Sequence, residues 1–316
     1  MNILFRADSS SSIGTGHIMR DLVLASQYFQ KGHNSIFAIQ NLQGNINYKI
    51  EESGYKTIIL KSNNIQELNE IILKLKIDLL IIDHYGIDYK FEKKLKKKNL
   101  TLQMMVLDDT YEKHYCDILL NHNISCDKKK YKSLVPSECK LKCGSKYTLI
   151  RDEFIKEKFI KRKIYKHDKK TIFVAMGGSD HSNITMKILK CIPKIYNVNI
   201  VTTTSNKNLN QLKYFVSINN NMTLYINTNN IAKLMHISDM AIISPSVISH
   251  EVLYMQLPFI SILTGNDQKD IYKYFKKKKL ITMKKFNCKK LYKNILYLDD
   301  NLSKYRRKIK RISEKC

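Results

Sequence analysis

Glycine and proline are scarce. The 316-residue chain holds 10 Gly and 4 Pro, which excludes collagen-like and low-complexity architectures. No apolar run reaches the ~18 residues a membrane-spanning helix needs. The opening Met1-Asn2-Ile3-Leu4-Phe5-Arg6 lacks the basic-then-apolar layout of a secretory signal, so a cytoplasmic protein without stable membrane insertion is expected. The 7 cysteines are odd in number and scattered. Cys139 and Cys143 are the nearest pair, and no second pair completes a zinc pattern. Free thiols in a reducing compartment are expected, with no metal. His33, His114, His122, His167, His181 and His236 fall at no ligand spacing, and neither HExxH nor GxSxG occurs. Zinc-enzyme and covalent-hydrolase chemistry drop out.

Arginine is scarce too. The formal charge is +27, from 55 Lys+Arg against 28 Asp+Glu, yet Arg occurs only at Arg6, Arg20, Arg151, Arg162, Arg306, Arg307 and Arg311. Arginine is the side chain that reads bases and phosphates bidentately. A lysine excess in a chain rich in Ile, Asn and Tyr, the residues of AT-rich codons, suits a solvated surface instead. Nucleic acid is therefore not the expected partner. The charge is uneven: residues 1–150 carry 22 basic and 16 acidic side chains, and residues 151–316 carry 33 and 12. The second half should attract anions, nucleotides among them.

The hydrophobic content of 43% is enough for a full core, and the length exceeds the ~250–300 residues at which single cores stop growing. Two domains are expected, 1–150 and 171–316, joined by a charged linker at 151–170 and ending in a basic tail from about Leu280. Apolar runs at Ile3–Arg6, Ser35–Ile39, Thr57–Leu60, Leu79–Ile82 and Leu102–Leu107 predict strands. Helix-period segments at His17–Gln30, Asn45–Ser53, Ile65–Lys76 and Tyr89–Lys98 alternate with them. The second half repeats the layout, with strands at Thr171–Met176, Asn197–Thr202, Met222–Ile226, Met240–Ile243 and Phe259–Leu263. Helices are expected there at Ser182–Cys191, Leu209–Ser217, Asn230–His236, Val247–Met255 and Asp267–Lys279. This alternation predicts an α/β protein with two parallel, Rossmann-like sheets facing an interdomain cleft. Ligands of such sheets sit beyond the carboxyl ends of the strands.

Functional polar residues are therefore expected just after each strand. After the first comes Arg6-Ala7-Asp8-Ser9-Ser10-Ser11-Ser12-Ile13-Gly14-Thr15-Gly16-His17. Glycines let backbone N–H groups approach a ligand, and a helix N-terminus disfavours a protonated imidazole. His17 is then neutral near pH 7, as a general base must be, although a histidine capping its own helix has the same pattern. Arg6, Asp8, Gly14 and Gly16 are candidate substrate-binding residues. Asp83-His84-Tyr85-Gly86 follows a buried strand; Asp83 suits orienting a histidine or binding sugar hydroxyls, and equally suits capping the next segment. Gly177-Gly178 before a helix suits a phosphate cradle or a plain βα turn. Glu251, in the first turns of a helix after Ser244-Pro245-Ser246, suits a ribose diol, though acids near helix starts are ordinary.

Together these segments resemble PseG-type hydrolases, which cleave UDP-2,4-diacetamido-2,4,6-trideoxy-β-L-altropyranose in pseudaminic acid synthesis. The resemblance runs in order from Phe5-Arg6-Ala7-Asp8-Ser9 and Gly14-Thr15-Gly16-His17-Ile18-Met19-Arg20-Asp21-Leu22 through Ile81-Ile82-Asp83-His84-Tyr85-Gly86. It continues through Cys116-Asp117-Ile118-Leu119-Leu120-Asn121, Cys143-Gly144, Leu149-Ile150-Arg151, Met176-Gly177-Gly178-Ser179-Asp180 and Asn230-Ile231-Ala232-Lys233-Leu234-Met235. It implies the two-domain GT-B architecture of MurG-type glycosyltransferases. It implies His17 as base, Tyr85 as its supporting tyrosine, and a UDP pocket at Gly177, Gly178, the backbone around Ile231, and Glu251 for the ribose. Asn266 maps onto a sugar-contacting asparagine. The implied reaction is inverting attack by water without metal or cofactor, in a monomer. The rival is a MurG-like transferase, its basic tail docking on anionic lipid through Tyr305, Ile309 and Ile312. A lysine-rich nucleic-acid binder ranks below both.

Overall fold

The computed structural model describes residues 1–160, 169–180, 182–266 and 268–313. Arg162, Ile164, His167, His181 and Asp267, and the middle of the expected linker, lie outside the described residues. The chain divides into two compact units, Met1–Leu149 and Ile150–Cys316.

The first unit has strands β1 (Asn2–Ala7), β2 (Asn34–Ile39), β3 (Lys56–Ile59), β4 (Leu79–Asp83), β5 (Gln103–Leu107), β6 (Ile118–Asn121) and β7 (Lys140–Cys143). Its helices are α1 (Gly16–Phe29), α2 (Tyr48–Glu52), α3 (Ile65–Lys74) and α4 (Tyr89–Lys98). The sheet order is β3-β2-β1-β4-β5-β6-β7, with parallel pairing throughout. All of β4 is buried because both faces of the sheet are covered. Leu79 and Ile81 pack with Phe5, Ile18 and Leu24 on one face. Leu80 and Ile82 pack with Leu68, Ile72 and Leu95 on the other. The order reverses between β1 and β4, so the loops that follow these two strands leave from one switch point.

The second unit has strands β8 (Thr171–Ala175), β9 (Asn197–Thr202), β10 (Met222–Ile226), β11 (Met240–Ile243), β12 (Phe259–Ile262) and β13 (Ile281–Met283), ordered β10-β9-β8-β11-β12-β13. Its helices are α5 (Asp152–Lys158), α6 (Ile184–Leu189), α7 (Leu209–Ser217), α8 (Ile231–His236), α9 (Ile248–Tyr254), α10 (Lys269–Lys277), α11 (Cys288–Asp300) and α12 (Leu302–Ser313). Here the reversal falls between β8 and β11. The loop with Gly177-Gly178 and the loop with Ser244-Pro245-Ser246 leave from that point.

Three expectations need correction. The segment after Leu280 is part of the fold: β13 extends the sheet with Ile260 opposite Ile281, and α11 buries Leu291, Ile295 and Leu298. Tyr305, Ile309 and Ile312 of α12, spaced one turn apart, are likewise in the core, so none is available to a lipid surface. The charged segment after Arg151, which the sequence allows as a linker or a surface helix, does begin as a helix, α5, but its Phe154 is fully buried. The cysteines are not all free: Cys191 and Cys288 form a disulfide that ties the segment after α6 to the start of α11. Cys116, Cys126, Cys139 and Cys143 are free thiols.

Since Ile309 is 0% exposed, Ile309→Ala should destabilise the second unit by ~2–5 kcal/mol. Urea unfolding checks this, and an unchanged midpoint would show that α12 adds no core.

Candidate active site

At the end of β1 the chain buries an ion pair. Arg6 Nη1 and Nη2 donate to the two carboxylate oxygens of Asp8 at 2.8 and 2.7 Å, and neither residue has any exposed surface. Asp8 also accepts the Gln40 N–H at 2.7 Å and the His84 ring at 3.0 Å. His84 Nδ1 accepts the Gly86 N–H at 2.8 Å, so its ring proton sits on Nε2, facing Asp8. Burial raises the Asp8 pKa, but His84 and Arg6 outweigh it and hold the carboxyl at about 2. Arg6 and Asp8 thus fasten the β1 end to its neighbours. The next loop closes through Gly14 N–H to Ser10 O at 2.8 Å, with Gly14 at φ +86°, a left-handed conformation that glycine adopts without strain. It delivers Gly16 as the first residue of α1.

One turn of α1 carries His17, Arg20 and Asp21, whose i, i+3 and i+4 spacing puts them on one face. Arg20 grips Asp83 at the end of β4 through Nε and Nη2, both at 2.5 Å. Its remaining nitrogen reaches Asp109 Oδ2 at 2.8 Å. Tyr85 donates its hydroxyl to Asp109 Oδ1 at 2.9 Å, and its ring meets the His17 ring edge-on, 4.7 Å between centroids. His17 Nδ1 lies 3.8 Å from Asp83 Oδ1. The result is a closed circuit, His17–Asp83–Arg20–Asp109–Tyr85.

Burial pushes the His17 pKa down, with Arg20 adding to the effect and Asp83 opposing it, so the imidazole is neutral at pH 7. The Asp83 carboxylate, 3.8 Å from Nδ1 and beyond hydrogen-bond reach, favours a proton there and a lone pair on Nε2. Burial raises the Asp83 pKa, but Arg20 outweighs it and keeps the group ionised.

Arg20 and Asp109 were not singled out from the sequence. Asp109 was findable, because Asp108-Asp109 follows buried β5 as Asp83 ends β4. Asp108 shapes that turn by accepting Thr110 N–H at 2.9 Å, Tyr111 N–H at 2.9 Å and the Tyr131 hydroxyl at 2.6 Å. His114 lies near Asp108 and pairs with Glu92 at 2.8 Å. Burial lowers the His114 pKa, but Asp108 and Glu92 outweigh it and push it up to about 9.

Asp21 is different. It is fully buried, and neither carboxyl oxygen has a hydrogen-bond partner among the described residues. Burial, with Asp83 nearby, raises its pKa well above 3.8, so it is held as the neutral acid.

In the second unit, Gly177 stands at φ +94°, and a Cβ added to it would meet nothing within 4 Å. A Cβ on Gly178 would come within 2.8 Å of Thr203 Cγ2. The turn is anchored by the Thr203 hydroxyl donating to Gly178 O at 3.0 Å. The expected helix start differs: α6 begins at Ile184, and Asp180 takes the amides of Ile184 and Thr185 at 2.9 and 3.0 Å. Those first-turn donors are therefore occupied by Asp180. Ile231 opens α8. Glu251 lies in α9 with both carboxylate oxygens on Arg151, at 2.7 and 3.0 Å. Asn266 is exposed in the turn after β12.

These two parallel-sheet units have the GT-B fold of nucleotide-sugar glycosyltransferases. Acinetobacter baumannii MurG superposes with a TM-score of 0.64 at 11% identity, over 99% of this chain and 94% of that one. The spinosyn rhamnosyltransferase SpnG gives 0.72 at 10% identity, over 99% and 95%. No family model matches the chain. Its membership is shown by sequence: the chain belongs to the UDP-2,4-diacetamido-2,4,6-trideoxy-β-L-altropyranose hydrolase family. It is 40% identical over 278 residues to that hydrolase of Campylobacter jejuni, which covers 88% of this chain and 97% of the relative. An uncharacterised Methanocaldococcus jannaschii protein is 30% identical over 287 residues, 88% of this chain but 59% of that protein.

Two pH effects follow. Asp21 costs the fold nothing below the ordinary carboxyl pKa of 3.8 and progressively more above it, because only the unfolded chain gains by ionising. Asp21→Asn should raise the thermal midpoint near pH 8 and show a shrinking gain toward pH 4; an equal shift at both would contradict a buried neutral acid. The His114 contribution is complete below 6.5 and lost as pH rises through about 9. In His114→Gln the alkaline loss of stability should be smaller than in the parent chain, as followed by urea unfolding across that range.

Proposed function

We propose that this chain hydrolyses UDP-2,4-diacetamido-2,4,6-trideoxy-β-L-altropyranose to UDP and free 2,4-diacetamido-2,4,6-trideoxy-L-altrose, in pseudaminic acid biosynthesis. The observation that carries this is the neutral, buried His17 held against Asp83 and Tyr85, in a chain with 40% identity to an enzyme of that name.

His17 Nε2 takes a proton from a water on the sugar face opposite the nucleotide. The oxygen of that water bonds to the anomeric carbon as the bond to the diphosphate oxygen breaks, so configuration inverts. The bonding electrons leave with UDP. The imidazolium formed faces Asp83, whose negative charge stabilises it. Tyr85, 60% exposed and with its hydroxyl donated to Asp109 at 2.9 Å, positions water and sugar. UDP is already a stable anion, so no carboxylic acid must protonate the leaving oxygen. This separates the site from the two-carboxylate glycosidases, and the step draws on no metal.

The Gly177-Gly178 backbone receives the diphosphate charge, the amides around Ile231 and the Glu251 carboxylate bind the nucleoside, and Asn266 contacts the sugar. Asp83 acts on His17, while Gly14 and Gly16 shape the loop at the sugar. Arg6 and Asp8, both without exposed surface, hold that loop. The working form is a cytoplasmic monomer with no nucleic-acid partner.

His17→Asn should lower kcat by ~10²–10⁴ and leave UDP affinity unchanged. Proton NMR on the purified chain, with no acceptor and no added metal, should show UDP and free sugar with the anomeric configuration inverted at early times. Turnover only with an added acceptor would move the assignment to a transferase. Full activity in His17→Asn would remove the base.

A further inference from the structure

Four thiols of the first unit take no part in the hydrolysis step, and all four lie around one strand. Strand β7 is the last of the first sheet and pairs with β6 alone. Its sequence, Lys140-Leu141-Lys142-Cys143, offers little apolar surface. Alternation puts residues 139, 141 and 143 on one face, and Cys139, Leu141 and Cys143 pack there against the core that holds Val106, Leu119 and Tyr131. A four-residue strand with one neighbour and few apolar contacts opens more readily than the strands beside it.

Each end of β7 carries a cysteine that meets a second one from the segments flanking β6. At its start, Cys139 Sγ lies 3.7 Å from the Sγ of Cys116, which comes just before β6. At its end, Cys143 is hydrogen-bonded to Cys126, in the loop after β6. Among the described residues no three His, Cys, Asp or Glu side chains converge as ligands of one metal ion would. The four sulfurs are therefore two separate dithiols and not one tetrathiolate centre. In each pair the β7 thiol is the more readily ionised. The hydrogen bond from Cys116 lowers the Cys139 pKa, and the one from Cys126, with Lys128 adding to it, lowers that of Cys143, burial opposing both. Cys139 and Cys143 are also partly exposed, whereas Cys116 is buried. The accessible, ionised sulfur is the one that attacks.

We propose that Cys116 with Cys139 and Cys126 with Cys143 are two modification sites, at which the first unit takes up disulfides by exchange with a low-molecular-weight disulfide and so fastens both ends of its edge strand. The β7 thiolate bonds to one sulfur of the small disulfide, whose S–S bond breaks. The other half leaves as a thiolate and takes the proton the cysteine lost. The partner, Cys116 or Cys126, then loses its proton and attacks the β7 sulfur. The mixed disulfide breaks, and the second small thiol leaves with that proton. Each pair gives up two hydrogens and one small disulfide becomes two thiols, so no further oxidant is needed. Bonded sulfurs stand ~2.0 Å apart, a separation that Cys116 and Cys139 reach from 3.7 Å by turning their side chains toward each other. Cross-linking residues 23 positions apart restricts the unfolded chain and favours the folded one. A sulfur held in a disulfide is also withheld from irreversible oxidation to the sulfinic and sulfonic acids.

The test uses the full chain carrying Cys316→Ser, which leaves these four thiols beside the disulfide of Cys191 and Cys288. After incubation with oxidised glutathione, mass spectrometry of unreduced peptides should show Cys116 linked to Cys139 and Cys126 linked to Cys143. Each linked pair should be lighter by two hydrogens, and no free thiol should remain. The thermal midpoint should rise by roughly 5–10 °C over the untreated chain, and the rise should be absent once Cys139→Ser and Cys143→Ser are added. Lasting glutathione adducts, links crossed between the two ends of β7, or four thiols that stay free would overturn the proposal. So would a midpoint that falls on oxidation, because the new bonds would then pull β7 away from β6 instead of holding it there.

Discussion

The buried fork between Arg20 and Asp83 is the interaction on which the arrangement around His17 depends. It joins the first helix to the fourth strand across the switch point of the first sheet. Both groups are nearly water-free, with side-chain exposures of 3% and 1%, so each has exchanged hydration for the other. Removing one partner of such a pair costs ~3–5 kcal/mol, because the other is left charged and dry. The same fork determines which side chains can surround His17. Asp83 is brought beside its Nδ1, and the remaining Arg20 nitrogen is left to capture Asp109, which in turn holds Tyr85. A single arginine therefore organises two carboxylates and a phenol around one neutral imidazole.

Three of the seven arginines, drawn from both units, are used in this way. Arg6 organises Asp8, Arg20 organises Asp83 and Asp109, and Arg151 organises Glu153 and Glu251. The planar, permanently charged guanidinium fixes carboxylate orientation as an ammonium cannot. The abundant lysines sit mostly on the surface and raise the net charge without shaping the site. These carboxylates are consequently held in place by the protein itself.

Much of this was legible in the sequence, for identifiable reasons. The central strands are uninterrupted apolar runs such as Leu79–Ile82, which only a doubly covered parallel strand explains. Asp83 and Tyr85 drew notice because they lie at or just after such a strand, and His17 because it opens the helix after the glycine turn that follows β1. Edge strands were harder: β7 reads Lys140-Leu141-Lys142-Cys143, and β13 is three residues long. Arg20 looked like one polar position on an amphipathic helix, and only the sheet brings Asp83 and Asp109 to it. The partnership of Arg151 with Glu251 spans 100 residues, and that of Cys191 with Cys288 spans 97; no local pattern announces either. Asp180 shows the opposite failing, since the strand–glycine–helix pattern suggested open amides that its own carboxylate fills.

The strand order also bears on synthesis. Each sheet takes its strands from one continuous stretch of sequence and none from the other. The first sheet can therefore close while the second is still being translated. The second sheet has no such freedom at its far edge. Until Ile281–Met283 has been made, the β12 backbone has a row of unpaired amides and carbonyls beside the apolar Phe259–Ile262, the kind of edge that recruits other chains. Ribosome pausing between β12 and β13 would prolong the interval in which a nascent chain has one finished domain and one adhesive edge.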